Sequence, residues 1–303
     1  MARISRRNFL LQSGTAITAG CLLSGTGLRF FRLPIGLQLY TVGDLLKKDF
    51  DGTLEQVAAI GYREVEMAGF FGKTPGQVKA ALKNAGLHCG SAHIFGPLNF
   101  EETLDYVKEL GAKYVITSGI SPQRVIEARK DPKASEAMKD IILDDCKELA
   151  EGYNKMGEQA SRFGIQLAYH NHNWEFQSFN GVIFYDELLR RTDPELVKFE
   201  LDCGWAKVAG HDPAAYLEKY PARFRLLHIK DFKAGYEPTT SRKGVKPPST
   251  ELGRGGIDYK PILLAAKKTA VEWFYVEQEP PFTELSALEA IKVSYDYLKH
   301  LNL

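Results

Sequence analysis

From Pro34 onward, short apolar runs with strand character alternate eight times with stretches of helical periodicity. The strand-like runs fall at 35–40, 64–67, 88–93, 114–117, 165–170, 197–202, 225–229 and 273–277. Helix-period stretches follow near 50–60, 74–85, 99–110, 138–163, 183–192, 212–219, 258–268 and 284–300. Leu54, Val57, Ala58 and Ile60 give an apolar stripe that Gly61 stops. Asn99 with Glu102 makes a capping pair before Leu104, Val107 and Leu110, and Asp212-Pro213 suits a helix start. Eight strand–helix pairs in about 270 residues match a (β/α)8 TIM barrel. An open doubly wound sheet would carry a glycine-rich phosphate loop after its first strand, and Gln38-Leu39-Tyr40-Thr41-Val42 has none. No linker divides the chain, so residues 34–303 are expected to form a single domain. The longest irregular segment, 232–256, follows the seventh strand and is expected to cover the strand C-termini or hold substrate.

The chain has 303 residues, 44% hydrophobic and 25% charged, an ordinary globular composition. With 39 basic and 38 acidic residues well mixed, nothing marks a nucleic-acid track. The N-terminus differs. Arg6-Arg7 precedes Asn8-Phe9-Leu10-Leu11 and a Gly/Ala/Thr/Ser-rich stretch reaching about Gly27. This order has the form of a twin-arginine export signal, so residues 1–33 are expected to be signal and short linker, and the protein periplasmic or extracytoplasmic. The stretch is too short and too polar for a membrane span. Thr18-Ala19-Gly20-Cys21 faintly resembles a lipoprotein cleavage box, which leaves a lipid anchor on Cys21 as an alternative. Cys89, Cys146 and Cys203 are odd in number and widely spaced, and form no disulfide framework.

Four of the eight runs end abruptly in polar clusters: LAYHNHNWEF (167–176), FELDCGW (199–205), LLHIKD (226–231) and FYVEQE (274–279). In a parallel barrel all strand C-termini open on one face, so these residues converge. His170, Asp202, His228 and Glu277 are the ligand types of a mixed N/O site for one divalent ion, Mn, Mg, Co, Zn or Fe. Such a centre polarises a carbonyl and stabilises an enediolate. Around it, His93 ends the third strand within reach of a substrate oxygen or a proton. Glu66 and Tyr40 end the second and first strands, where they could meet substrate hydroxyls. Lys230 shares the inward side of its strand with His228, placed to stabilise an enolate oxygen or to pair with Asp231. Trp174, Trp205 and Phe95 offer apolar faces for a substrate ring, and Arg254 offers a cation for an anionic group.

The motifs GLQLYTV (36–42), EVEMAG (64–69), YHNHNWEF (169–176), ELDCGW (200–205), LHIKD (227–231), LGRGGID (252–258) and VEQE (276–279) resemble those of the xylose isomerase-like TIM barrel family of sugar phosphate isomerases and epimerases. In its epimerase branch, Glu, Asp, His and Glu from strands five to eight hold the metal. The two glutamates also exchange protons on opposite faces of the substrate carbon. The resemblance carries Asp202, His228 and Glu277 into that set, with Glu277 also acid or base. The fifth strand departs, ending in His170 with His172 and Glu175 just beyond. His172, Glu175 and His93 are therefore further catalytic candidates, and Glu175 an alternative ligand. The resemblance implies a metal-dependent sugar or cyclitol isomerase/epimerase working next to a carbonyl. The His-rich fifth strand end brings in a dehydratase or lyase on an inosose or 3-keto-sugar as the alternative. A catalytically silent exported carbohydrate-binding barrel is the non-enzyme reading. The expected partner is a small carbohydrate or cyclitol, with no nucleic acid and no transmembrane span; a homo-oligomer is left open. Serine-triad hydrolysis is excluded by the lack of G-x-S-x-G, and a multi-zinc nuclease by seven histidines and near-zero net charge.

Overall fold

The computed structural model describes residues 34–94, 99–119, 121–135, 138 and 140–302. The twin-arginine segment, Cys21 and Phe95 lie outside them. Eight parallel strands close into one barrel: β1 (Ile35–Gln38), β2 (Glu64–Ala68), β3 (His88–His93), β4 (Tyr114–Thr117), β5 (Gln166–His170), β6 (Val197–Asp202), β7 (Phe224–Ile229) and β8 (Trp273–Val276). Each strand pairs with its sequence neighbours and β8 closes on β1. All eight expected strands are present, as is the single-domain (β/α)8 barrel.

Period-2 alternation sorts each strand into two layers. One set of side chains fills the floor of the barrel: Tyr114, Ile116, Ala168, Leu226 and Tyr275, with Trp273 against them. Gly36 and Gly90 make room there. A Cβ on Gly36 would lie 2.5 Å from Tyr275 Cδ1, and one on Gly90 would lie 2.9 Å from Tyr275 Oη and 3.2 Å from Trp273 Cε2. The other set, including Val197, Phe199 and Leu201 of β6, packs outward against the helices.

The helices follow their local signals. Pro75–Ala85 opens on a Thr74/Gln77 capping box, Ala287–His300 on a Ser286/Glu289 box, and Pro213–Lys219 carries proline in its first turn after the Asp212 cap. One expectation shifts. The stretch read as helical over 138–163 is helical over Asp145–Arg162, and Gln123–Lys130 precedes it as a separate helix. That second helix is short and mostly charged, too brief to show a period. Among the described residues no helix is long and apolar enough to cross a membrane.

Candidate active site

Strand register brings the polar strand ends together. His170 on β5 stands opposite Glu200 on β6, and Asp202 opposite His228 on β7. Across the barrel, Gln38 faces Glu66 and Glu66 faces Ser91. All of these side chains are buried.

His170 Nδ1 lies 2.9 Å from Glu200 Oε2, which leaves Nε2 turned to Asp202 Oδ2 at 3.7 Å. His228 is held at both nitrogens: Nδ1 is 3.0 Å from Glu277 Oε2, while Nε2 is 2.9 Å from Glu66 Oε1 and 3.2 Å from Glu200 Oε2. Ser91 Oγ and Gln38 Nε2 each donate to Glu66 at 2.5 Å. Lys230 Nζ sits among three carboxylates, 2.9 Å from Asp202 Oδ2, 2.5 Å from Glu277 Oε2 and 3.0 Å from Glu279 Oε1. Asp202 also caps the short helix Cys203–Val208, its Oδ1 accepting the Trp205 N–H at 2.8 Å. His93 completes the wall, its ring centroid 5.0 Å from that of His170 and 6.3 Å from that of His228.

Burial and crowding separate the charge states. Burial lowers His228, but Glu200 and Glu277 override it and hold the imidazole well above its ordinary value. Lys230 behaves alike, raised by Asp202 and Glu277 against burial. Glu277, pushed up by burial, is pulled below the carboxylate range by Lys230 and His228. Burial and the neighbouring Glu66 push Glu200 well up, and burial takes Asp202 to about 6. The remaining imidazoles stay neutral: burial brings His93 to about 4 and His172 to about 3, and holds His170 well below its ordinary value.

This donor set fits a divalent metal. Ligand atoms of His170, Asp202 and His228 lie within 4.8 Å of one another, as do those of His93, His170 and Glu200, and those of Glu66, Glu200 and His228. Glu66, Glu200, Asp202 and Glu277, with Glu279 at the edge, outnumber the two cations Lys230 and His228. Glu200 Oε1 is buried with no hydrogen-bond partner. Two imidazoles and a carboxylate suit a first-row transition ion, and the other carboxylates hold the rings in place.

Of the expected ligands, His170, Asp202 and His228 share one donor triad, and Glu277 joins them through His228 and Lys230. Glu66, expected on sugar hydroxyls, lies inside the cluster instead. Lys230 pairs with Asp202, Glu277 and Glu279; its neighbour Asp231 accepts backbone N–H groups from Phe232, Gly253, Gly255 and Ile257 and so ties down the loop after β7. His172 stands at the cluster's edge, its ring centroid 5.1 Å from that of His170. Tyr40 is 47% exposed on the rim.

Three expectations are corrected. Glu175 is withdrawn from the mouth: Tyr169 Oη donates to it at 2.7 Å and the His172 N–H at 2.9 Å, and Tyr169 packs on Tyr153 in the outer layer. It belongs to none of the donor groups found among the described residues. Trp205 is buried and cannot offer a face to a sugar; its Nε1 donates to Glu279 at 3.0 Å. Arg254 pairs with Glu251 at 3.4 Å and lines a surface cleft with Val293 and Tyr297 of the last helix.

Sequence reasoning missed Glu200, Gln38, Ser91 and Glu279. Glu200 carried a signal, since it precedes Asp202 by two residues on one strand and so shares its face. Segment 232–256 does lie over neighbouring loops. Asn173 Nδ2 donates to Thr239 O at 2.9 Å, Arg242 stacks 3.6 Å from the Trp174 ring centroid, and Lys246 Nζ sits 4.8 Å from that of Trp205.

Comparison with known proteins agrees with this geometry. Residues 54–299 match the family model described as xylose isomerase-like TIM barrel. An inosose dehydratase from Clostridium beijerinckii is 28% identical over 285 residues, covering 88% of this chain and 94% of that protein. A sugar phosphate isomerase/epimerase from Parabacteroides distasonis superposes with TM-score 0.70 at 25% identity, over 90% of this chain and 96% of that one. The IOLI protein, solved with a bound zinc atom, shares the fold with TM-score 0.66 at 15% identity, over 89% of this chain and 100% of that one. The chain belongs to the xylose isomerase-like TIM barrel family.

Proposed function

We propose that this protein is a metal-dependent lyase that removes water from an inosose or related keto-sugar. The observation that carries this reading is the asymmetry of the mouth. His170 stands where a two-glutamate epimerase would place its second carboxylate, and Glu175 is engaged by Tyr169 instead. The end of β5 therefore offers Glu277 no opposed carboxylate of the kind a two-glutamate epimerase uses to exchange protons on two faces of one carbon. The other carboxylates, Glu66, Glu200 and Asp202, are engaged with His170, His228 and Lys230. The likeness to inosose dehydratases supports the dehydratase reading over the isomerase/epimerase one.

The reaction needs a base next to the carbonyl, stabilisation of the enolate oxygen, and a proton for the departing hydroxyl. His170, Asp202 and His228 would hold a divalent metal, which when bound would supply Lewis-acid polarisation of the carbonyl. His172, half-buried and held neutral by burial, is free to take the α-proton as general base. Its imidazolium, or a proton relayed past His93, then protonates the β-hydroxyl as the C–O bond breaks. The α-hydrogen and hydroxyl leave as water and a carbon–carbon double bond remains, with no net redox change. Lys230, kept charged by Asp202 and Glu277, offsets the enolate charge. Glu277, pinned between Lys230 and His228, orients both, a role that its lowered basicity suits.

The test is incubation of manganese- or cobalt-loaded protein with scyllo-inosose and 3-keto-glucose in D2O. Expected is a conjugated enone lighter than substrate by one water. Deuterium gained at a stereocentre with every oxygen retained would restore the epimerase reading. Binding without turnover would leave the carbohydrate-binding barrel. We further propose that the enzyme works outside the cytoplasm, on the strength of Arg6-Arg7 and the stretch after them. Export of a reporter fused behind residues 1–33 that stops when Arg6-Arg7 becomes Lys-Lys is the expected result.

A further inference from the structure

A second cavity opens at the same end of the barrel. It encloses about 410 Å³ and is lined mainly by apolar groups, among them Tyr40, Val42, Ala68, Phe71, Pro280 and Phe282. These follow the ends of β1, β2 and β8, the strands that carry Gln38, Glu66 and Glu277. Ala68 lies two residues beyond Glu66 on β2, hence on the same inward face and about 7 Å nearer the mouth. The wall is bonded to the cluster at two points. Gln38 accepts the Tyr40 N–H at 2.9 Å while donating to Glu66, and Thr41 Oγ1 accepts the N–H of Gln278, the residue after Glu277, at 3.0 Å.

Two features set this cavity apart from a packing fault. Tyr40 keeps 47% of its surface in solvent although its neighbours Leu39 and Thr41 are buried. Phe71 holds a left-handed backbone, φ 52°, between Gly69 and Gly72, which also have positive φ. A bulky residue is strained in that region, and the loop accepts the strain while setting an aromatic ring in the cavity wall.

The geometry points to an apolar subsite for a ring-bearing substituent carried by the substrate: a keto-sugar with an aryl or comparable apolar group, its polar ring on the histidine–carboxylate cluster and its substituent between Tyr40, Phe71 and Phe282. A bare cyclitol has hydroxyls all round and nothing to bury against Ala68 and these rings. The occupant is placed by continuity, since the same strands carry both the cluster and the cavity. The inference rests on the function proposed above only for where the reacting ring lies.

The test measures binding to the metal-loaded full chain by calorimetry, with phenyl β-D-glucopyranoside and methyl β-D-glucopyranoside as unreactive probes. The phenyl probe is expected to bind on the order of tenfold tighter or more. Ala68→Leu, which fills the cavity, and Phe282→Ala, which removes a wall, should each bring that preference below about threefold. A wild-type preference below about threefold overturns the subsite, as does a preference that survives both variants in folded protein. So does concentration-dependent self-association that the phenyl probe leaves unchanged and that Ala68→Leu abolishes, because a second copy would then fill the cavity. Dehydration of scyllo-inosose is assayed separately: its absence beside an intact phenyl preference refutes the lyase reading alone, and its presence without the preference refutes the subsite alone.

Discussion

The two ends of the barrel treat charge in opposite ways. At the floor, Glu272 is met by Lys113, by the Tyr114 hydroxyl at 2.9 Å and by Arg225 at 3.4 Å, so each charge has a counterpart near solvent. Above them Tyr114, Ile116, Ala168, Leu226 and the ring of Tyr275 pack into one buried cluster. At the mouth, four buried carboxyls crowd around His228 and Lys230, and Glu200 Oε1 is buried without a hydrogen-bond partner. Burying that much like charge opposes folding. The floor stabilises the barrel, and the mouth draws on that stability to hold a charge pattern suited to a cation and an enolate.

If this division is right, changes at the mouth should alter chemistry and changes at the floor should alter stability. The largest effect is expected from Asp202→Ala, which removes a candidate ligand and one of the three carboxylates around Lys230. Turnover should fall to background and metal content, measured by inductively coupled plasma mass spectrometry, should drop well below one ion per chain. Full metal and activity would break the site assignment. Next is His172→Asn, expected to lower kcat by roughly 10²- to 10³-fold with metal retained, since a general base contributes in that range.

Glu175 gives a test between the two ends, because it lies beside the mouth yet belongs to the packing. Burial raises its pKa from 4.5 to about 7. Below pH 4.5 the carboxyl is protonated in both folded and unfolded chains. Between about 4.5 and 7 the unfolded chain releases its proton first, so this group lowers stability as pH rises, by up to about 3 kcal/mol. Denaturant titrations should show that slope flattened in Glu175→Gln, with kcat little changed; a collapse of kcat alone would return Glu175 to the chemistry. At the floor, Glu272→Ala should cost about 1–2 kcal/mol by leaving the Tyr114 hydroxyl and Arg225 short of a partner, with kcat/KM unaltered. Smallest of all, Arg254→Ala should cost about 1 kcal/mol or less and keep full activity, since the arginine is half in solvent although its partner Glu251 is buried.

The division between the ends also explains what could be read in the chain. Strand positions were legible because alternation and strand-ending polar residues are local signals, and His170, Asp202 and His228 came with them. Glu200 and Ser91 escaped because each sits inside a strand rather than at its end, where a polar residue is less conspicuous. Trp205 misled because period-2 reasoning stops at Asp202: the next residue begins a helix, which turns the indole into the protein. Glu175 and Arg254 lie in loops, whose side chains take their direction from contacts distant in sequence, Tyr169 for one and the last helix for the other.

Asp202 carries a consequence for which ions this centre can select. Its Oδ1 accepts the Trp205 amide and its Oδ2 is the oxygen turned to the cluster, beside Lys230, so binding a cation through both oxygens would compete with the helix cap. Calcium, which takes six to eight oxygens and often grips a carboxylate by both, is poorly served by such a ligand. Small ions content with single-oxygen donors beside imidazole are served well. The helix cap thus disfavours two-oxygen binding, and a Glu in this position, reaching past the amide, would loosen the helix start and the choice of metal together.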